Sequence, residues 1–226
     1  MKRHAMGNCF AAKLATPSLN LQHPIASWSK QHAGSPLEFS SAHTEALAIL
    51  MPLLFQQQAL QFSQQQCADS VLALNEVEAD EAWHDEALQM VFSQLPELAE
   101  QHKVRRTAQR FYAGLGRSLS LQQQFVRIAS LDACVTQLMQ LIERGSIGSR
   151  HPFSLLCGLI KKDEAKHVYV SKHFARHLGA SVSDMAEERL WVLGALMQLL
   201  KQQADQFEII GVDLDKLEKR LEQKWQ

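Results

Sequence analysis

The sequence predicts an all-α protein. Apolar residues recur at three- and four-residue spacing along most of the chain, which is the pattern of a helix with one buried face. The 226 residues include only 10 Gly and 6 Pro, and most of these fall near the ends of the periodic segments. Alternating runs of Val, Ile and Thr, which are typical of strands, are absent from the sequence. A chain of this length fits a single domain.

The N-terminal part is predicted to be irregular. Residues 1–36 contain three of the six Pro, and they are expected to form a leader to one helical domain over residues 37–226. Ser40 and Ser41 are good N-capping residues, so the first helix is expected to begin there and to continue to about residue 66. Pro52 falls inside this helix and is expected to kink it.

The remaining helices are bounded by Pro and Gly residues. Pro96 ends the second helix, and glycines stand near the later boundaries. The predicted segments are a second helix over 69–94, a helical connection over 97–115, helices over 118–144, 152–178 and 183–209, and a short C-terminal helix after Gly211.

Composition restricts the expected partners. The 23 basic and 24 acidic residues nearly cancel and neither sign forms a long run, so neither nucleic acid nor a membrane surface is expected to bind. The N-terminus has no sustained apolar stretch of the kind found in signal peptides or membrane spans. The four Cys show no Cys-x-x-Cys spacing, which is typical of free thiols in a reducing compartment. We therefore expect a cytoplasmic protein that acts on a small molecule.

The pattern Asp-Glu-x-x-His occurs twice, at residues 80–84 and 163–167. Residues three apart share a helix face, so each copy directs one carboxylate and one imidazole to the same region. Glu81 and His84 lie on the apolar face of the second helix, and Glu164 and His167 lie on that of the fourth. An ionised carboxylate in an apolar interior costs several kcal/mol unless it is paired or bound to metal. Metal is the simplest explanation of two such interruptions.

The other helices offer further acidic ligands. Asp132 is a single acid in the apolar stripe of the third helix. The first helix offers Glu45, and Glu38 just upstream is the alternative. The order along the chain is then acid, Glu-x-x-His, acid, Glu-x-x-His, with one set per helix. Four carboxylates sum to four negative charges, which two divalent ions would neutralise.

This order resembles the ferritin-like di-iron carboxylate family over roughly residues 40–178. The ligand separations and the tail at 207–213 are most similar to the arylamine N-oxygenase-like di-iron oxygenases. Two positions differ from those N-oxygenases, since Asp132 stands where Glu is usual and Ile160 where they carry a third His. The resemblance implies a ferritin-like four-helix bundle with extra C-terminal helices and two Fe ions, Mn being the alternative. It implies the metal ligands Glu45, Glu81, His84, Asp132, Glu164 and His167.

The first residue of each motif has a separate predicted role. Asp80 and Asp163 lie about 100° round the helix from the neighbouring Glu. We expect each of them to accept the outer N–H of a metal-bound His from another helix and so to fix its tautomer. No catalytic residue is expected beyond the metal ligands.

The resemblance implies a dioxygen-activating enzyme. Its partners would be dioxygen, an electron donor and a small organic substrate, which is hydroxylated, N-oxygenated or desaturated, and a homodimer is one candidate assembly. Ferritin-like iron or peroxide handling without an organic substrate is the alternative, and large shells are the usual assembly of such proteins. A helical scaffold that has lost its metal is a third hypothesis.

Overall fold

The computed structural model describes residues 23–54, 71–115 and 119–225. All regular structure in these ranges is helical, so the all-α prediction is confirmed for them. The helices are α1 (Pro24–His32), α2 (Ser41–Leu54), α3 (Val71–Phe92), α4 (Ala99–Leu115), α5 (Leu121–Glu143), α6 (Pro152–His177), α7 (Val182–Leu200), α8 (Ala204–Ile209) and α9 (Leu214–Trp225), with a 3-10 turn at Lys201–Gln203 between α7 and α8.

Helix α1 lies in the segment for which irregular structure was predicted, so that prediction is wrong for residues 24–32. Pro24 occupies the first turn, where its missing N–H costs nothing, and the His23 ring accepts a hydrogen bond from the Ile25 N–H at 3.3 Å. Ile25 and Trp28 are buried in the main core, and the Trp28 indole N–H donates to the Pro152 carbonyl at 3.0 Å. The burial of Ile25 and Trp28 therefore stabilises a helix that the Pro-rich sequence around it does not predict.

Two other predicted boundaries also differ. The structure describes α2 as far as Leu54, with Pro52 buried inside it, and the predicted continuation to about residue 66 lies outside the described residues. The predicted helix over 183–209 is divided after Leu200 by the 3-10 turn. The backbone of Gln203, with φ −123° and ψ 31°, departs from helical geometry and separates α7 from α8.

Helices α5 and α6 form the central antiparallel pair of the fold. They are joined by a short turn at 144–151 and make the most extensive helix–helix contact in the described chain. Helix α5 also packs on α7 and α9, whereas α6 packs on α3 and α1. Helix α2 packs on α4, α8 and α3. The two motif helices, α3 and α6, are therefore direct neighbours, and α1 lies against both of them.

The α5–α6 turn packs closely against the turn between α8 and α9. The Ser146 N–H donates to the Ile210 carbonyl at 3.0 Å. A Cβ on Gly145 would lie 2.2 Å from that carbonyl oxygen, and one on Gly211, whose φ is +78°, would lie 2.5 Å from the Ser146 nitrogen. Backbone contact at this distance requires glycine at both positions. The crossing fixes the C-terminal helices against the central pair.

Helix α5 is long and rich in apolar residues. By length and composition alone it could cross a membrane, and it is the one helix of the described chain that meets this test. Most of its apolar window, 72%, is buried inside the fold, as in a core helix. Its buried residues include one acid, Asp132.

Candidate metal centre

The two motif copies face each other across the contact between α3 and α6. The rings of His84 and His167 have centroids 5.8 Å apart, and each side chain is 2% exposed. Glu164 is fully buried between them, and Glu81 closes the other side with 21% of its side chain exposed. The helical spacing that directs Glu and His to one face therefore brings two carboxylates and two imidazoles into one cluster.

Each glutamate spans both imidazoles. His167 Nδ1 lies 3.0 Å from Glu81 Oε1 and 3.8 Å from Glu164 Oε2. His84 Nδ1 lies 3.4 Å from Glu81 Oε2 and 3.6 Å from Glu164 Oε1. The donors therefore fall into two equivalent sets, each with one imidazole nitrogen and one oxygen from each glutamate.

Several buried atoms of this cluster lack hydrogen-bond partners. Of the eight such buried side-chain atoms in the described residues, five belong to this cluster, namely Nδ1 of His84 and His167, both Glu164 oxygens and Asp132 Oδ2. The short Nδ1–carboxylate distances bring opposite charges together but are not aligned as hydrogen bonds. Buried polar atoms without partners are costly and rare. They are concentrated here around donors that could hold a metal ion.

Asp132 joins the cluster from α5. It is 6% exposed, and its carboxyl interacts electrostatically with Glu81, His84 and Glu164. Burial, together with the negative charge of Glu81, holds the pKa of Asp132 well above its usual range. The pKa of Glu164 is raised in the same way by burial and by the charges of Glu81 and Asp132. A nearby cation would stabilise the ionised form of carboxyls whose pKa is raised in this way.

Asp80 and Asp163 hold the outer nitrogens of the imidazoles in a crossed arrangement. His167 Nε2 on α6 lies 3.2 Å from Asp80 Oδ2 on α3. His84 Nε2 on α3 lies 3.4 Å from Asp163 Oδ2 on α6. The structure thus contains the cross-helix pairing that was expected from the spacing of the motif. An Nε2–H that donates to a carboxylate leaves Nδ1 free to bind metal.

The carboxylates around each imidazole change its proton affinity. Burial acts to lower the pKa of His84, but the nearby carboxylates of Asp163 and Glu81 outweigh it and raise the pKa to about 10. For His167, burial is outweighed by Asp80 and Glu81, and the pKa rises to about 9. Without metal, protons on the imidazoles therefore balance part of the negative charge at neutral pH. A metal ion would replace these protons.

Two further residues, Lys166 and His23, contact Asp80 and Asp163. Lys166 Nζ lies 3.0 Å from Asp80 Oδ2 and 2.9 Å from Asp163 Oδ1. His23 Nε2, at the start of α1, lies 3.0 Å from Asp80 Oδ1 and 3.6 Å from Asp163 Oδ2. The sequence analysis missed both residues. Lys166 follows Asp163 by three positions and so shares its helix face, a signal that could have identified it. His23 lies in the supposed leader and gave no such signal.

The structure does not place Glu45 or Glu38 with this cluster. Both residues are exposed, although both were considered as the acid from the first helix. The buried face of α2 instead consists of apolar residues and Pro52, at positions 46–48 and 50–54. Glu45 is the fifth residue of α2 and directly precedes this buried face. The structure therefore brings together five of the six expected ligands, namely Glu81, His84, Asp132, Glu164 and His167.

Tyr112 is a further neighbour of the cluster that the sequence did not indicate. Its side chain is buried, and its hydroxyl donates to the Leu53 carbonyl at 3.2 Å. Burial, and then the negative charges of Glu164 and Glu81, raise its pKa far above the usual value. Ile160, which differs from the His of the family that the sequence resembles, is buried in the apolar core. The environment on these sides of the cluster is therefore apolar or uncharged.

The donor set can hold cations. Glu81, Glu164 and His167 offer ligand atoms within 4.8 Å of one another, as do His23, Asp80 and Asp163. Comparisons with models of known protein families, with curated proteins and with solved structures give no match. The chemistry of the chain must therefore be argued from the site itself.

Proposed function

We propose that this protein is a ferritin-like, non-haem di-iron oxidoreductase. It would activate dioxygen and oxidise a small organic substrate by hydroxylation, N-oxygenation or desaturation. The observation that carries the proposal is the set of unpartnered buried atoms, in which two imidazole Nδ1 atoms face both oxygens of Glu164. Five ligands from α3, α5 and α6 support a bundle-type metal centre.

Two ions fit the donors better than one. Each glutamate directs one oxygen toward His84 and the other toward His167, so the two sets can each serve a separate ion. Charge favours the same number. Two divalent ions leave one positive charge after the carboxylates of Glu81, Asp132 and Glu164 are neutralised, and the outer Asp pair with Lys166 supplies one net negative charge. The buried assembly is then neutral, which a low-dielectric interior favours.

Iron is the metal that this set of donors suits best, and Mn is the alternative. Carboxylate and imidazole ligands without thiolate favour these ions over a structural zinc site. Two adjacent ferrous ions, when bound, supply the electrons for the reduction of dioxygen. The chain's own contribution is to hold the ligands, to fix both imidazole tautomers through Asp80 and Asp163, and to exclude water. An external electron donor must restore the ferrous state after each turnover.

Anaerobic reconstitution with ferrous iron, followed by dioxygen, tests the proposal. We expect about two irons per chain and an absorbance change that requires dioxygen. Glu164→Gln should bind one iron or none and lose the absorbance change, whereas Glu86→Gln, an exposed change on α3, should keep both iron content and absorbance change. A wild-type protein that binds no iron, or whose iron does not react with dioxygen, would sink the proposal. Iron that accumulates far beyond two per chain, in a large assembly on a sizing column, would instead favour storage.

A further inference from the structure

Lys166 joins the two motif helices on the outer side of the metal centre. It belongs to α6, where it forms an ion pair with Asp163 three residues before it at 2.9 Å. It also reaches across to Asp80 on α3 at 3.0 Å. The two carboxylates are only 13% and 11% exposed, whereas the Lys166 side chain is 59% exposed. One partly solvated ammonium group therefore holds two largely buried carboxylates together.

Each of these carboxylates contacts both Lys166 and an imidazole of the centre. Asp80 uses Oδ2 for both Lys166 and His167, and Asp163 uses Oδ1 for Lys166 and Oδ2 for His84. A carboxylate fixed in this way cannot turn freely about its last bond. The direction in which it accepts the imidazole N–H is thus set by Lys166.

His23 contacts the same pair from α1. Its Nδ1 accepts a hydrogen bond from the Ile25 N–H at 3.3 Å, so in the neutral ring the hydrogen is on Nε2. That nitrogen lies 3.0 Å from Asp80 Oδ1, the oxygen that Lys166 does not contact, but the two groups are not aligned as a hydrogen bond. The ring stacks over Trp83 of the first motif at a centroid distance of 6.1 Å. Helix α1 therefore covers this side of the centre with a polar contact to Asp80.

A third metal ion is the competing explanation of these contacts. His23, Asp80 and Asp163 have ligand atoms close enough together to hold one. However, the Lys166 ammonium lies within 3.0 Å of both carboxylates and would repel a cation placed between them. The imidazoles of the centre occupy further positions on the same oxygens. A clamp whose charge is already partly compensated by Lys166 explains these contacts better than an additional metal site.

We propose that Lys166 and His23 are positioning residues of the metal centre, which act through Asp80 and Asp163 on the imidazoles of His167 and His84. The inference rests on the proposed function, because positioning is meaningful only if these imidazoles bind metal. Lys166 acts on both imidazoles because it touches both aspartates. His23 acts mainly on His167 because its shorter contact is to Asp80.

The experiment compares Lys166→Gln, Lys166→Arg and His23→Asn with the wild type in the full chain. Lys162→Gln is the matched control, since Lys162 is exposed on the same helix and the charge change is identical. Co(II) serves as the probe. Its affinity is measured by titration, and solvent exchange of the imidazole N–H protons is followed by the paramagnetically shifted NMR signals. Circular dichroism checks that each variant is folded.

We expect Lys166→Gln to weaken Co(II) binding about tenfold, as the loss of outer support for a metal ligand typically does. Exchange of both imidazole N–H protons should become faster. Lys166→Arg should restore most of the affinity, because a guanidinium can also bridge two carboxylates. His23→Asn, which keeps a capping residue, should affect mainly one N–H signal, and Lys162→Gln should match the wild type.

The outcomes separate this inference from the proposed function. A wild-type chain that binds no Co(II) contradicts the proposed function itself. A wild-type chain that binds two Co(II) ions, with unchanged affinity and N–H exchange in Lys166→Gln, overturns the inference alone. If Lys166→Gln does not fold, Lys166→Arg and His23→Asn decide. The inference is supported if Lys166→Arg binds Co(II) with wild-type affinity and one imidazole N–H exchanges faster in His23→Asn. Unchanged N–H exchange in His23→Asn overturns it.

Discussion

Asp80 on α3 lies 3.2 Å from the Nε2 atom of His167 on α6. The reciprocal contact, between Asp163 on α6 and His84 on α3, measures 3.4 Å. Each Asp-Glu-x-x-His copy therefore provides one Glu and one His of the candidate metal centre and an Asp that contacts the histidine of the other copy. Neither motif can form a complete half-site alone.

The crossed contacts between the aspartates and the histidines predict the effect of removing either aspartate. Asp80→Ala and Asp163→Ala should each weaken metal binding about 10- to 100-fold, because one imidazole loses the acceptor that orients it. Titration with Co(II) measures the loss, and NMR should show that Asp80→Ala disturbs the N–H signal of His167 and Asp163→Ala that of His84. Glu86→Ala on α3 is the control and should leave both signals unchanged. Equal disturbance of both rings by either variant would contradict the crossed assignment.

Replacing Glu164 should weaken metal binding without lowering the stability of the metal-free protein. Glu164 is fully buried, and its ionised form is disfavoured by burial and by two neighbouring carboxyls. Glu164→Gln removes that charge at nearly constant volume, so the metal-free protein should keep its free energy of unfolding or gain up to about 2 kcal/mol. Metal binding should fall to one ion or none. Urea unfolding and metal analysis of the same preparation test both statements, and a large loss of stability would indicate a structural role instead.

The stability of the metal-free protein should fall at alkaline pH. The pKa values of His84 and His167 rise from 6.5 to about 10 and about 9 on folding, so their contribution to stability is complete below pH 6.5 and is lost as the pH rises through 9 to 10. We therefore expect a lower free energy of unfolding at pH 10 than at pH 7 in the presence of a chelator. Bound metal replaces these protons and should reduce the difference. Equal stability at the two pH values without metal would contradict the shifts.

Glu45 provides a direct comparison between the sequence pattern and the structure. Because the structure places it on the exposed side of α2, Glu45→Gln should leave the number and affinity of bound metal ions unchanged. Asp132→Asn, which alters the buried acid of α5, should weaken binding. Iron content after reconstitution measures both variants. A loss of one iron in Glu45→Gln would favour the assignment that the resemblance implies over the observed position.

Two glycines should respond to Ala in opposite directions. Gly211 has φ +78°, and a Cβ there would lie 2.5 Å from a backbone nitrogen, so Gly211→Ala should cost more than about 2 kcal/mol. Gly194 lies inside α7 with open space around it, so Gly194→Ala should gain about 0.5–1 kcal/mol. Urea denaturation of the two variants measures both effects. Similar changes in the free energy of unfolding at the two sites would show that the backbone around Gly211 can move to accommodate a Cβ without loss of stability.

The helices could be predicted where periodicity and capping agreed. Ser120 and Ser181 each form a capping box at the start of a helix, and Gly179 follows α6, so those boundaries lie within a few residues of the expected ones. Helix α1 could not be predicted, since nine residues contain too few turns for a periodic signal and its stability comes from contacts with distant residues such as Pro152.

In the candidate site, too, some features follow from local sequence patterns and others depend on tertiary packing. Helical spacing alone placed Glu and His of each motif on a buried face, and chain order added Asp132. The crossed pairing of Asp80 and Asp163 followed from their angle on the helix. Glu45 shows the limit, because the sequence does not reveal whether an acid beside an apolar stripe points inward. His23 shows another, because a contact between α1 and α3 depends on tertiary packing that no local pattern contains.

The crossed aspartates also have a consequence for metal release. A slide or rotation of α6 against α3 would withdraw Asp80 from His167 and Asp163 from His84 at the same moment, and would part Lys166 from Asp80. The two ions should therefore leave in a single cooperative step rather than one after the other. Bound metal would in turn slow hydrogen exchange along both helices, so that the centre keeps the two motif helices in register.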